Sequence, residues 1–241
     1  MTARSAPLLA LLLAPLLLVQ GTFEGKLRLR TIELTLEEPG LKESWLDVPA
    51  ATLAAREDVN VDSSVMLVRN NVLRFSGKDS GEGYGLLDFT RHAIAMVDPE
   101  SRSYFEMPLP AAPPAQPSAG AGRGPVVKAL GQTKRLNGVT VTGYEVRSQD
   151  QIIRAWLTTD FPGLTGTIRS AASQFGTDES NDPDDVAMTQ LMAKGFPILM
   201  ITLTDRTLRV EETVSIERVT LGAAMFTVPV GFTKRTMPGG P

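Results

Sequence analysis

The sequence predicts a mainly β protein of α+β character. The expected architecture is one strongly curved antiparallel sheet, or half-barrel, of about ten strands, with two helices covering its concave face. Three observations predict it. Apolar and polar residues alternate with period two along most of the chain, the signature of half-buried strands. Turn-forming pairs and a Pro-containing tetrad punctuate those runs. Two late segments, Leu164–Phe175 and Asp184–Lys194, instead carry apolar stripes at helical spacing. The inner face of the sheet is the one large apolar surface that could bury them.

Taken in order, Phe23–Leu36 places Phe23, Leu27 and Leu29 on one face and Lys26, Arg28 and Arg30 on the other. After Thr31 the phase flips, and Ile32, Leu34 and Leu36 become the apolar set. A one-residue slip exchanges the faces of a strand, so a bulge or sharp bend is expected near Thr31. Asn70-Asn71 separates Val65–Val68 from Val72–Phe75, and Gly77–Gly85 reads as a polar, Gly-rich loop. Leu86–Thr90, Ala93–Val97 and Ser103–Met107 form a meander with turns at Arg91-His92 and Asp98-Pro99-Glu100-Ser101.

Residues 108–125 hold six Pro and three Gly with no aromatic residue, so they are expected to be an extended, disordered loop within a single domain. Strands resume at Val126–Lys134, Val139–Arg147 and Ile152–Thr159. The first two are joined through Asn137-Gly138, the strongest short hairpin signal. The first helix presents Leu164, Ile168, Ala171, Ala172 and Phe175, and Gly176 stops it. The second opens at Asp182-Pro183, buries Met188, Leu191 and Met192, and ends at Gly195. Ile198–Leu203 is apolar on both faces, and Leu208–Val219 alternates with Leu208, Val210, Val214 and Ile216 inward.

Residues 1–21 are read as a targeting segment. Leu8–Val19 is an uncharged apolar run of 12 residues, short of the roughly 20 needed to span a bilayer, and Val19-Gln20-Gly21 offers small residues at a cleavage site. Residues 22–241 are then the exported domain, in periplasm or extracellular space, and not an integral membrane protein once the segment is removed. The 24 basic and 27 acidic residues give a net charge of −3, which argues against nucleic acid as a partner. With no Cys and one His, disulfide scaffolds, thiol catalysis and multi-imidazole metal centres are excluded.

The remaining candidate chemistry is thin. Asp178–Asp182 is acidic, but Pro183 stands where a calcium loop needs Gly and Thr189 where it needs a bidentate Glu. Gly81, Gly83 and Gly85 precede no phosphate-binding motif. His92 falls in a turn, and no Gly-x-Ser-x-Gly elbow exists for a hydrolytic triad. Glu212 alone has a physical edge: alternation sets it beside Val210 and Val214, and a carboxylate on an apolar face must be paired, raised in pKa or near an opening. No metal, cofactor or catalytic residue is expected.

The segments Asp98-Pro99-Glu100 with Tyr104, Gly131-Gln132-Thr133-Lys134 with Leu136 and Gly138, Tyr144-Glu145-Val146, Trp156-Leu157-Thr158-Thr159-Asp160 and Phe226–Phe232 resemble the domain-of-unknown-function family numbered 4412. That family consists of exported bacterial envelope proteins. Val139 stands where its pattern has an aromatic residue. The resemblance implies a fold like that of the periplasmic lipoprotein carriers, an incomplete barrel whose helix-capped hollow holds acyl chains; it implies no catalytic residue.

Together these readings lead to a non-enzymatic binding protein for a lipid or other apolar small molecule. Its ligand is expected between sheet and helices, lined by Leu27, Leu29, Trp156, Ile168, Phe175, Leu191, Met192 and Ile201, with Glu212 for a polar head. The alternative is a structural or protein-interaction component of the envelope with a filled core.

Overall fold

The computed structural model describes residues 23–77, 83–109, 126–167 and 183–236. Twelve strands lie among them: β1 (Glu24–Thr35), β2 (Val59–Arg69), β3 (Val72–Ser76), β4 (Tyr84–Asp88), β5 (Ala93–Asp98), β6 (Ser103–Pro108), β7 (Lys128–Leu136), β8 (Val139–Arg147), β9 (Gln151–Thr158), β10 (Phe196–Thr204), β11 (Thr207–Arg218) and β12 (Thr233–Lys234). Helical structure is sparse: α1 (Ala50–Ala54), residues 162–167, α2 (Pro183–Met192), and 3₁₀ turns at Glu43–Asp47 and Ala223–Phe226.

All twelve strands form one open sheet in the order β12-β6-β5-β4-β3-β2-β1-β11-β10-β9-β8-β7. It is two meanders, β1 to β6 and β7 to β11, joined where β1 pairs with β11. Strands β6 and β7, consecutive in the chain, therefore lie on opposite flanks, and the Pro-rich stretch connects the flanks. The sheet is mixed rather than purely antiparallel, because β12 runs parallel to β6. The count exceeds the expected ten because β12, at two residues, is too short to show any periodicity. Of the predicted loop at 108–125, Pro108 instead ends β6. Residues 110–125, like the predicted leader at 1–21, lie outside the described residues.

Of the bulge or sharp bend expected near Thr31, the pairing of β1 with β11 shows a register shift between Arg28 and Leu29, while the pairing with β2 shows none from Glu24↔Arg69 to Leu34↔Val59. The shift leaves Val214 of β11 unpaired, which is why Val214 is exposed rather than inward. Strand β1 buries opposite faces along its length. Leu27 packs in one cluster with Phe23, Val68, Leu73, Trp156 and Leu164. Ile32 and Leu34, of opposite parity, pack in another with Leu46, Leu53, Ile201, Leu208 and Val210.

Both faces therefore need cover. Phe161 and Leu164, flanking and within the helical residues 162–167, complete the first cluster, with the rings of Phe23 and Phe161 edge-to-face at 5.7 Å. The second is covered by the β1–β2 connection, through Leu46 of the 3₁₀ turn and Leu53 of α1. Helix α2 supplies a third cluster, setting Ala187 and Leu191 on Val146 of β8 and on Ile153, Ala155 and Leu157 of β9. The second predicted helix is thus observed, beginning at Pro183; of the first, residues 162–167 are helical, and the rest of its predicted stripe lies outside the described residues.

The hairpin signal at Asn137-Gly138 is met by positive φ at both residues, 47° and 84°, as a two-residue turn of this handedness requires. Asn137 Nδ2 then donates to the carbonyl of Thr213 at 2.7 Å, so the β7–β8 tip touches β11 although β9 and β10 stand between them in the sheet.

Leu191 has no exposed surface. Leu191→Ala should cost about 3 kcal/mol, the usual range for a buried leucine deletion, seen as a lower urea midpoint with an unchanged slope. A loss below about 0.5 kcal/mol would show that α2 does not bear on the sheet.

Candidate functional site

Strands β3 to β6 carry an apolar row. Phe75 is paired with Gly85, Gly85 with Met96, and Met96 with Phe105, and cross-strand partners share a face. The row opens into a cleft of about 320 Å³, also lined by Ser76, Gly77, Gly83, Tyr84, Val97 and Asp98. Gly85 shapes it: a Cβ there would collide with the ring of Phe75, so glycine lets the ring lie across the strand. Met96, between Gly85 and Phe105 in the row, keeps 39% of its surface exposed.

The other face of these strands is backed by the C-terminal segment. Val228 and Phe232 pack against Tyr84, Leu86, Ala95 and Val97. The Arg74 guanidinium stacks 3.7 Å from the centre of the Tyr84 ring and donates to the carbonyl of Met225. Lys234 pairs with Glu106 at 2.9 Å. Burial pushes the Tyr84 hydroxyl above its ordinary pKa, against the opposing effect of Arg74. The cleft thus rests on strands held from behind.

Asp98 is the charged residue of the described lining. Its Oδ2 accepts the Ser101 hydroxyl at 2.5 Å, and its Oδ1 accepts the N–H groups of Glu100 and Ser101. Those bonds, the Ser101 hydroxyl first, hold the carboxyl below its usual range, and Arg235 adds to the effect. The tetrad Asp98–Ser101 is the turn the sequence indicates, with Asp98 as its cap.

A second polar cluster clamps the β1–β2 connection to the sheet. Glu145, 7% exposed, accepts Arg147 Nε at 2.6 Å and Arg154 at 3.1 Å. Arg147 continues to both carboxylate oxygens of Glu43, and Arg154 to Asp47 at 2.7 Å. Burial raises the Glu145 pKa, but the two guanidinium donors outweigh it and the net shift is downward. Beside them Lys134 sits 3.5 Å from the Trp156 ring centre, its pKa lowered by burial and by Arg154.

The residues expected to line a ligand hollow are distributed. Leu27 and Trp156 share the first cluster, with Leu29 packed against it. Ile201 belongs to the second and Leu191 to the third, while Met192 is half-buried. Ile168 and Phe175 lie outside the described residues. Glu212 stands next to the β11 bulge. It is paired with Arg30 across the strands and accepts Asn137 Nδ2 at 3.3 Å, which resolves its place on an apolar face. His92 occupies an exposed turn at φ 48°. The acidic run Asp178–Asp182 and Gly81 lie outside the described residues.

Periodicity reasoning passed over the cleft because Phe75, Met96 and Phe105 look like ordinary inward positions. Their alignment in a single row interrupted by glycine emerges only from the strand register. Among the described residues no cluster of three or more His, Asp or Glu is placed to hold a metal ion, and no helix is long and apolar enough to cross a membrane.

An open, mainly antiparallel sheet with sparse helices and an apolar surface cleft defines the chain as a mainly β protein. The family described as Domain of unknown function (DUF4412) matches residues 86–232, and the chain belongs to it. No curated protein matches. Among solved structures, an uncharacterized conserved protein from Thermus thermophilus is similar at 10% identity, over 86% of this chain and 89% of that one, with a TM-score of 0.39. PNGF-II in its C2 crystal form is similar at 9% identity and a TM-score of 0.38, over 88% of this chain and 31% of the other.

Because the folded Glu145 carboxyl is depressed, its contribution to stability is complete above the unfolded value of about 4.3 and is lost as pH falls through the lower folded value. Urea unfolding against pH should show wild type losing stability below about pH 4. Glu145→Gln should be about 3 kcal/mol weaker at neutral pH, with a flatter acid limb. Parallel curves for the two proteins would remove Glu145 from the clamp.

Proposed function

We propose that the chain is an exported, non-enzymatic binding protein whose curved sheet is a half-barrel and which holds an apolar ligand. The observation that carries this reading is the cleft on β3 to β6: some hundreds of Å³ lined chiefly by aromatic and aliphatic atoms is what a small-molecule site requires, and Met and Phe adapt to apolar guests. The reach of Asn137 over β9 and β10 to β11 supports the half-barrel. Export is supported by the short uncharged run Leu8–Val19 and the small residues that follow it.

The ligand site is proposed at the cleft rather than beneath the helices because Leu27, Leu191, Ile201 and Trp156 already bury their surfaces against the protein's own side chains. That same observation favours the second reading, a structural or protein-interaction component of the cell envelope with a filled core. Lipid or another apolar small molecule is the partner under the first reading, and an envelope protein under the second.

Native mass spectrometry of the freshly purified chain, before and after solvent extraction, separates them. The expected result is an extractable apolar adduct, lost in Met96→Asp while the folded charge-state distribution is kept. A chain that neither carries an adduct nor takes up the neutral dye N-phenyl-1-naphthylamine would favour the filled-core reading. Export predicts that protein recovered from outside the cytoplasm begins near Thr22; a start at Met1 would count against cleavage.

A further inference from the structure

We infer that the β3–β6 cleft takes the apolar part of a ligand whose polar end is uncharged or cationic, an alcohol, an ester or an ammonium, and discriminates against free carboxylates. This rests on the cleft being the ligand site and adds the charge class of what enters it.

Size comes first. A volume of about 320 Å³ accommodates about ten water-sized groups at roughly 30 Å³ each, so a chain of about ten carbons, or a ring system of similar bulk, fills it.

The polar groups then decide what the other end of such a molecule meets. Ser76 and the backbone of Gly77 and Gly83 are neutral, and the charge in the described lining is the Asp98 carboxylate at the end of β5. Its oxygens accept from Ser101 and Glu100 across the β5–β6 turn, which fixes the carboxylate at that end of the cleft. Among the described residues no cation lines the cleft. Arg235 is near enough to act on Asp98 electrostatically but is not part of the wall. Arg74 is stacked on Tyr84 and bonded to Met225, and Lys234 is engaged by Glu106. Among the described lining residues a carboxylate head would therefore meet a fixed like charge and no cation, whereas a hydroxyl could donate to Asp98 and an ammonium could pair with it.

Displacement of bound N-phenyl-1-naphthylamine from the full chain, using decanol, decyltrimethylammonium and decanoate, tests this. The expected result is that decanol and decyltrimethylammonium act at concentrations about tenfold below decanoate. Asp98→Asn, whose amide oxygen can still accept from the N–H groups of Glu100 and Ser101 while its Nδ2 donates to the Ser101 hydroxyl oxygen, should close most of that gap. Raising the salt concentration on the wild-type protein should narrow it too, with no variant needed. Decanoate matching decanol on wild type, or a gap unchanged by both Asp98→Asn and salt, would overturn the inference while leaving the cleft a ligand site. A protein that binds neither the dye nor any of the three compounds would overturn both.

Discussion

The constraint on which the rest of the structure depends is the continuity of β1. Its register against β2 holds from end to end, yet Leu27 is buried on one face and Ile32 and Leu34 on the other. A strand cannot change which side it shows to water without covering material on both sides. The chain supplies that material from two places: Phe161 and Leu164 late in the sequence, and the β1–β2 connection with Leu46 and Leu53. The connection is held by Glu43 and Asp47 on Arg147 and Arg154, with Glu145 buried between the guanidinium groups. Burial of such a carboxylate is tolerated only because both arginines donate to it, and the same cluster ties down the connection that covers the second apolar cluster.

The strands were legible because their chemistry is repetitive. Val139–Arg147 has the bounds its alternation predicts, and Asn137-Gly138 adopts the positive φ values its composition predicts. What escaped did so for identifiable reasons. The first half of β2, Val59 to Ser64, carries Asp62, Ser63 and Ser64 and faces water enough that its pattern reads as mixed. The 3₁₀ turn and α1 are five residues each, too short for a helical period to emerge. The flip in β1 was visible, but a flip has two physical causes, a slipped register or a change of covered face, and sequence alone does not separate them.

The candidate site was less legible than the fold. Glu212 was singled out by an argument about buried charge, and the geometry answers that argument with Arg30, a partner distant in sequence on the neighbouring strand. The cleft depends on a relation between four strands, Phe75, Gly85, Met96 and Phe105 in one row, and that relation exists only once register is known. Gly85 read as part of a polar loop; in the sheet it is the residue that gives the Phe75 ring its place. The family shown by residues 86–232 begins within β4 and so takes in the Met96 and Phe105 side of the row but not Phe75.

The join between the two meanders has a kinetic consequence. The Gly25↔Arg218 pair links positions separated by most of the chain, and among the described strands of the first meander β1 alone pairs with the second. A folding chain can zip β1 to β6 between sequence neighbours, but β1 must wait with one edge unsatisfied until β11 is available to pair. Such a long wait for ring closure slows folding and leaves a sticky edge available to other chains. The two meanders can accordingly join only once both have been made.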